Sequence, residues 1–277
     1  MTELPRRRVL AGIAAAPLVA TAATGPVEFA YGPDPAQRLD VYPQAGLARA
    51  PMLLFAHGGA WTVGDKRDVH ALPAFAQRHG FLLASTNHRP GVGAEMAAQD
   101  AAAATAWMFR EGPRYGGDAR RAFLMGHSSG GHLAALVGVD PRFLAPYGRS
   151  PTDLAGVIGV DGAGYDAVIE LSGMARRLPP SEFAQWTTAF GERAAALSPI
   201  RLVRPDRRYP PFLLLYTDHP GGRRFSQELA AALAAAGDAV AVVEAPGKSH
   251  DAINVDLGRP GDPAGERAAR FIATGTP

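Results

Sequence analysis

From Val27 onward, short apolar runs alternate with longer stretches whose apolar positions recur at helical spacing. The runs predict strands at Val27–Tyr31, Leu39–Tyr42, Met52–His57, Phe81–Asn87, Ala122–Gly126, Gly156–Asp161, Phe212–Tyr216 and Val240–Glu244. Between them the period predicts helices at Asp68–His79, Met96–Phe109, Ser129–Val139, Arg223–Ala236 and Ala264–Thr274. Met52-Leu53-Leu54-Phe55-Ala56 and Phe212-Leu213-Leu214-Leu215-Tyr216 are apolar at every position. Strands of that kind need cover on both faces, which is the condition of a mostly parallel sheet between two helical layers. The fold class is therefore α/β.

Two stretches depart from this rhythm. Between Gly164 and Pro199, two short helical segments and Pro179-Pro180 stand where the next strand is due. This predicts an insertion above the sheet edge, with Phe183, Trp186 and Phe190 either lining a pocket or packing the insertion down. Before Val27, Arg6-Arg7-Arg8 precedes a weakly apolar run too short to span a bilayer, and Ala20-Thr21-Ala22 supplies small residues suited to a signal peptidase. The arginines resemble a twin-arginine export signal, with Pro5 in place of its usual Ser or Thr. Residues 1–23 are thus expected to be a cleaved leader to the periplasm or exterior, with an unstructured leader on a cytoplasmic protein as the alternative, and 24–277 a single domain.

Charge adds little to this picture. The net charge of +2 comes from 28 basic and 26 acidic residues, and the leader holds three Arg against Glu3 alone. The body is neutral, and its arginines are scattered among Asp and Glu, which argues against a nucleic-acid partner. The chain has no Cys, which excludes disulfides, thiolate catalysis and Cys-based metal sites. His70, His79, His88, His132 and His219 show no metal-ligand spacing and no H-E-x-x-H occurs, so neither a metal nor another cofactor is expected.

The chemistry-bearing motif is Gly126-His127-Ser128-Ser129-Gly130, set between a predicted strand and a predicted helix. That is the context in which G-x-S-x-G exposes a serine on a sharp turn, with the helix N-terminus directed at a developing negative charge. A second element, His57-Gly58-Gly59-Ala60-Trp61, follows another predicted strand. The backbone N–H groups of Gly59, Ala60 and Ser129 are candidates for an oxyanion hole. An acid and a histidine should follow in that order. Asp218 follows the strand ending at Tyr216, and His250 follows the strand ending at Glu244, so the expected triad is Ser128, Asp218 and His250. Trp61 and His127, beside these loops, join Phe183, Trp186 and Phe190 as candidate pocket residues.

With these residues in hand, the chain resembles the α/β-hydrolase superfamily, in the esterase group with an HGG oxyanion motif that includes feruloyl-esterase-like proteins and arylformamidases. Tyr31-Gly32-Pro33-Asp34, Leu39-Asp40-Val41-Tyr42, Gly64-Asp65-Lys66 and Tyr115-Gly116-Gly117-Asp118 extend the likeness. It departs at Asn87-His88-Arg89-Pro90 and in the polar run after Asp218. The resemblance implies a mostly parallel central sheet with helices on both faces and an insertion before the acid strand. It also implies a serine esterase acting on small or medium acyl esters without a cofactor or stable membrane insertion. Amide hydrolysis of the arylformamidase type, or a hydrolase fold used only for binding, are the competing expectations.

Overall fold

The computed structural model describes residues 25–175 and 179–277. The expected leader lies outside the described residues. Eight strands form one sheet: β1 (Val27–Ala30), β2 (Arg38–Tyr42), β3 (Ala50–Ala56), β4 (Leu82–Thr86), β5 (Gly117–His127), β6 (Gly156–Val160), β7 (Phe212–Tyr216) and β8 (Val240–Glu244). Their spatial order is β1-β2-β4-β3-β5-β6-β7-β8. The pairs β1–β2 and β2–β4 are antiparallel, and every pair from β4 to β8 is parallel. All eight predicted strands are present.

The helices are α1 (Leu72–His79), α2 (Gly93–Glu111), α3 (Ser129–Val139), α4 (Pro141–Leu144), α5 (Ala167–Met174), α6 (Pro180–Phe190), α7 (Pro199–Leu202), α8 (Pro220–Ala235), α9 (His250–Asp256) and α10 (Pro263–Thr274). Strand parity explains the continuous apolar runs. Met52, Leu54, Leu124, Val157, Phe212 and Leu214 share one core with α2, α3 and α8. Their neighbours Leu53, Phe55, Phe123, Ile158, Leu213 and Leu215 share a second core with α1 and α10 on the opposite face.

Parallel strands bring all their C-terminal ends to one edge, where loops after β3, β5, β6, β7 and β8 meet. The insertion between β6 and β7 contains α5, α6 and α7. Trp186 and Phe190 do not stand open in a pocket. They are buried against Trp61 at ring separations of 4.9 and 4.8 Å. Trp61 is itself buried, so three of the five residues expected to line a pocket, Trp61, Trp186 and Phe190, join the insertion to the rest of the fold, while Phe183 is half-buried. Among the described residues, no helix is long and apolar enough to cross a membrane.

Candidate active site

Ser128 occupies the turn between β5 and α3 at φ 54° and ψ −120°, a conformation a non-glycine residue holds only when its surroundings enforce it. Close packing does the enforcing. A Cβ on Gly126 would lie 2.1 Å from the Gly130 carbonyl oxygen, and one on Gly130 would lie 2.1 Å from that of Ala56. The first and last glycines of the motif therefore press on each other and on the end of β3. The Ser128 N–H donates to Val160 O at 3.0 Å, which ties the turn to β6.

The loop after β3 runs alongside. Gly58 is close enough that an added Cβ would meet Ser128 Cβ at 3.2 Å. The Gly59 carbonyl points away and accepts the N–H groups of Thr62 and Val63, both at 3.0 Å. With φ +120°, Gly59 also leaves no room for a side chain, since its Cβ would lie 2.1 Å from Val63 O. Ala60 and Trp61 continue at φ 49° and 61°. Lys66 pins the far end of the loop: its buried ammonium donates to Asp40 on β2 at 2.8 Å and pairs with Glu28 at 3.0 Å, and its backbone N–H donates to Asn87 Oδ1.

His250 is the first residue of α9, a helix not anticipated from the sequence, capped by the Ser249 hydroxyl accepting from the Ala252 N–H. Lys248 holds the preceding turn through Asp262 at 2.5 Å and Asp256 at 3.3 Å. The His250 Nε2 lies 2.9 Å from Ser128 Oγ, placed to accept its proton. The buried His127 donates from Nε2 to the His250 carbonyl at 2.9 Å, with the two rings 4.7 Å apart. His127 thus braces the histidine backbone and does not face an open pocket.

The expected acid requires correction. His250 Nδ1 donates to Asp161 Oδ2 at 2.7 Å, and Asp161 follows directly on β6. Asp218 points outward, its side chain 77% exposed and paired with Arg223 at 2.8 Å. The alternation of side chains along an extended segment accounts for the swap. At the end of β7, Thr217 turns inward, so Asp218, one residue later, turns out. Thr217 gives its N–H to Asp161 Oδ1 at 2.9 Å and its hydroxyl to Oδ2 at 2.8 Å. Burial alone would raise the Asp161 pKa, but the bonds from His250 and Thr217 outweigh it and hold the carboxyl below its usual value.

The strand-edge chemistry had a signal for Asp161, which ends an apolar strand and lies between Ser128 and His250 in chain order, as Asp218 does. As the last residue of the predicted strand Gly156–Asp161, it carries no mark in the sequence that separates it from Asp218. Ser128, His250, Asp161 and the loop Gly58–Ala60 come together; Asp218, Phe183, Trp186 and Phe190 do not join them. Among the described residues, no group of three His, Asp or Glu could hold a metal ion.

The eight-stranded sheet, the serine on its strained turn and the Ser–His–Asp chain of contacts define an α/β hydrolase. Residues 39–219 match BD-FAE, and the chain belongs to this α/β-hydrolase esterase family. Esterase LipC of Mycobacterium tuberculosis is 35% identical over 146 residues, covering 49% of this chain and 36% of LipC. Esterase LipQ of the same organism is 28% identical over 241 residues, covering 80% of this chain and 56% of LipQ. The chain thus spans about a third and just over half of these relatives' lengths. Thermogutta terrifontis esterase 2, solved with butyrate bound, superposes with a TM-score of 0.71 at 20% identity over 90% of this chain and 92% of that one.

Proposed function

We propose that this protein hydrolyses carboxylic esters of small or medium acyl groups through an acyl-enzyme on Ser128. The observation that carries the reading is the unbroken run Ser128 Oγ, His250 Nε2, His250 Nδ1, Asp161 Oδ2, with contacts of 2.9 and 2.7 Å. In the reaction, Ser128 Oγ attacks the ester carbonyl as His250 takes its proton, and Asp161 stabilises the imidazolium that forms. The N–H groups of Gly59, Ala60 and Ser129 receive the oxyanion. His250 then protonates the departing alkoxide, and water repeats the sequence to free the acid and restore Ser128.

Supporting observations are the esterase names of the relatives and the butyrate held by the Thermogutta enzyme, a short acyl group. The His250 side chain is 42% exposed, which leaves room for a leaving group on the solvent side. The test is a panel of p-nitrophenyl esters from acetate to palmitate beside an aryl formamide, run on wild type and Ser128→Ala, with mass spectrometry to trap acylated Ser128. Turnover of short esters that vanishes in the variant is expected. Faster turnover of the formamide would reassign the site to amide hydrolysis, and no turnover of either would overturn the reading. We also propose export through residues 1–23, which loss of the product from the periplasm on replacing Arg6, Arg7 and Arg8 by Lys would support, and unchanged export would refute.

A further inference from the structure

His132 lies in the first turn of α3, four positions beyond Ser128, and is fully buried with both ring nitrogens in use. The Trp61 indole N–H lies 3.2 Å from Nδ1, and the Leu197 carbonyl lies 2.7 Å from Nε2. An indole only donates and a carbonyl only accepts, so one neutral tautomer serves: Nδ1 bare and Nε2 carrying the proton. Burial favours that neutral form, lowering the pKa to about 4.

The ring ties its own helix α3 to two other parts of the fold, the oxyanion loop through Trp61 and the insertion through Leu197. Trp61 directly follows Ala60, whose N–H is assigned above to the oxyanion. Trp61 and Ala60 both hold left-handed backbone at φ 61° and 49°, which the surroundings must enforce. Leu197 closes the short helical turn that follows α6 in the insertion. The insertion's first residue meets the same rings: a Cβ on Gly164 would lie 3.1 Å from His132 Cδ2, 3.1 Å from Trp61 Cζ2 and 3.0 Å from Phe190 Cζ. Both ends of the insertion therefore close on the His132–Trp61 pair.

We propose that His132 is a positioning residue for ester hydrolysis: Nδ1 holds Trp61, and with it the oxyanion loop, in register with the serine helix, while Nε2 locks the insertion to the same point. The inference rests on the esterase reading of Ser128. It separates the two nitrogens, and side-chain amides can separate them too. In His132→Asn the amide reaches the place of Nδ1, so its oxygen still accepts from Trp61. In His132→Gln the amide reaches the place of Nε2, where it serves Leu197 and leaves the indole N–H unpaired. Trp61→Phe removes the donor and keeps one aromatic ring at the position, losing the half of the indole whose Cζ2 lies beside Gly164.

The experiment measures kcat and KM for p-nitrophenyl butyrate on wild type, Ser128→Ala and these three variants, with circular dichroism and thermal melts as fold controls. His132→Gln and Trp61→Phe should lower kcat about tenfold with KM changed less than about twofold, because misplaced oxyanion donors act on the transition state. His132→Asn should keep kcat within about threefold of wild type although it breaks the bond to Leu197. A folded Trp61→Phe with wild-type kcat would overturn the inference, as would His132→Asn losing as much as His132→Gln. Trp61→Phe decides the matter if a His132 variant does not fold. A wild type without Ser128-dependent turnover would overturn the esterase reading instead.

Discussion

Replacing Asp161 by Asn separates the two strand-end carboxylates. The change is nearly isosteric, and at 1% exposure the side chain has no solvent to reorganise into. The Thr217 N–H must still be met by an oxygen, so the amide oxygen takes the Oδ1 position and the NH2 group takes that of Oδ2, facing His250 Nδ1. Two donors cannot face each other. The imidazole therefore moves its proton to Nε2, the nitrogen 2.9 Å from Ser128 Oγ, where it can no longer accept the serine proton. A wrong tautomer of this kind costs about 10⁴-fold in kcat, about 5.5 kcal/mol of barrier. Asp218→Asn removes only a pair with Arg223 that is 77% exposed on the carboxylate side and 46% on the guanidinium side, so activity should stay within about twofold and stability within about 1 kcal/mol. The assay is kcat/KM for p-nitrophenyl butyrate, with urea melts to show that both variants fold. Asp161→Asn within tenfold of wild type, or a hundredfold loss in Asp218→Asn, would refute the assignment.

Gly126→Ala should lower stability by about 1–3 kcal/mol and impair turnover, since its new methyl meets backbone 2.1 Å away. Gly173→Ala, with nothing within 4 Å, should be neutral or slightly stabilising in the same urea titration. Lys66→Ala leaves the buried Asp40 carboxylate without its cation and should cost about 3–5 kcal/mol, read from the shift in urea midpoint. Stability should also follow pH on both sides of neutrality. Burial holds His88, His127 and His132 at about 4, with His57 adding to the effect at His88 and His250 at His127. The unfolded chain, with histidine near 6.5, binds more protons between those values, so stability rises with pH from about 4 to 6.5 by up to about 3 kcal/mol per group. Glu170 runs the other way: burial raises it to about 8, so the folded state binds the extra proton and stability falls as pH climbs from about 4.3 toward 8. Urea midpoints that do not change between pH 4 and 6.5 would contradict the histidine part, and Glu170→Gln should flatten the alkaline limb.

Much of the architecture is readable from local pattern because local pattern is what the sheet demands. Leu53 and Leu54 are both apolar since one faces α1 and α10 and the other faces α2 and α3, so a run without alternation already implies helices on both sides. Gly126 and Gly130 around Ser128 are readable for the same reason: each is required where one backbone meets another, and the sequence records the requirement directly. His250 in α9 is harder. The helix is 7 residues long and owes its start to the Ser249 cap and its placement to Lys248 reaching Asp256 and Asp262, the second 14 residues away in the chain. No periodicity signals so short an element.

The acid shows where one-dimensional reasoning stops. Asp161 and Asp218 satisfy the same sequence criteria, and what distinguishes them is the direction of one residue at the end of β7. Because Thr217 turns inward to give two hydrogen bonds, it occupies the inner position at this strand end and hands Asp161 a ready pair of donors. A Cβ on Gly222 would stand 2.4 Å from Asp161 Oδ1, so the start of α8 packs against the carboxylate and needs a glycine to do so. The loop after β7 is thus built around Asp161 without supplying the acid itself. Gly222→Ala should therefore impair ester turnover although residue 222 never meets substrate, by pushing a methyl against the carboxylate that orients His250. The expected loss is about tenfold to a hundredfold in kcat with little change in KM, in a protein shown folded by circular dichroism. A folded Gly222→Ala with wild-type kcat would mean that the α8 N-terminus yields freely, and that Asp161 is held by Thr217 and His250 alone.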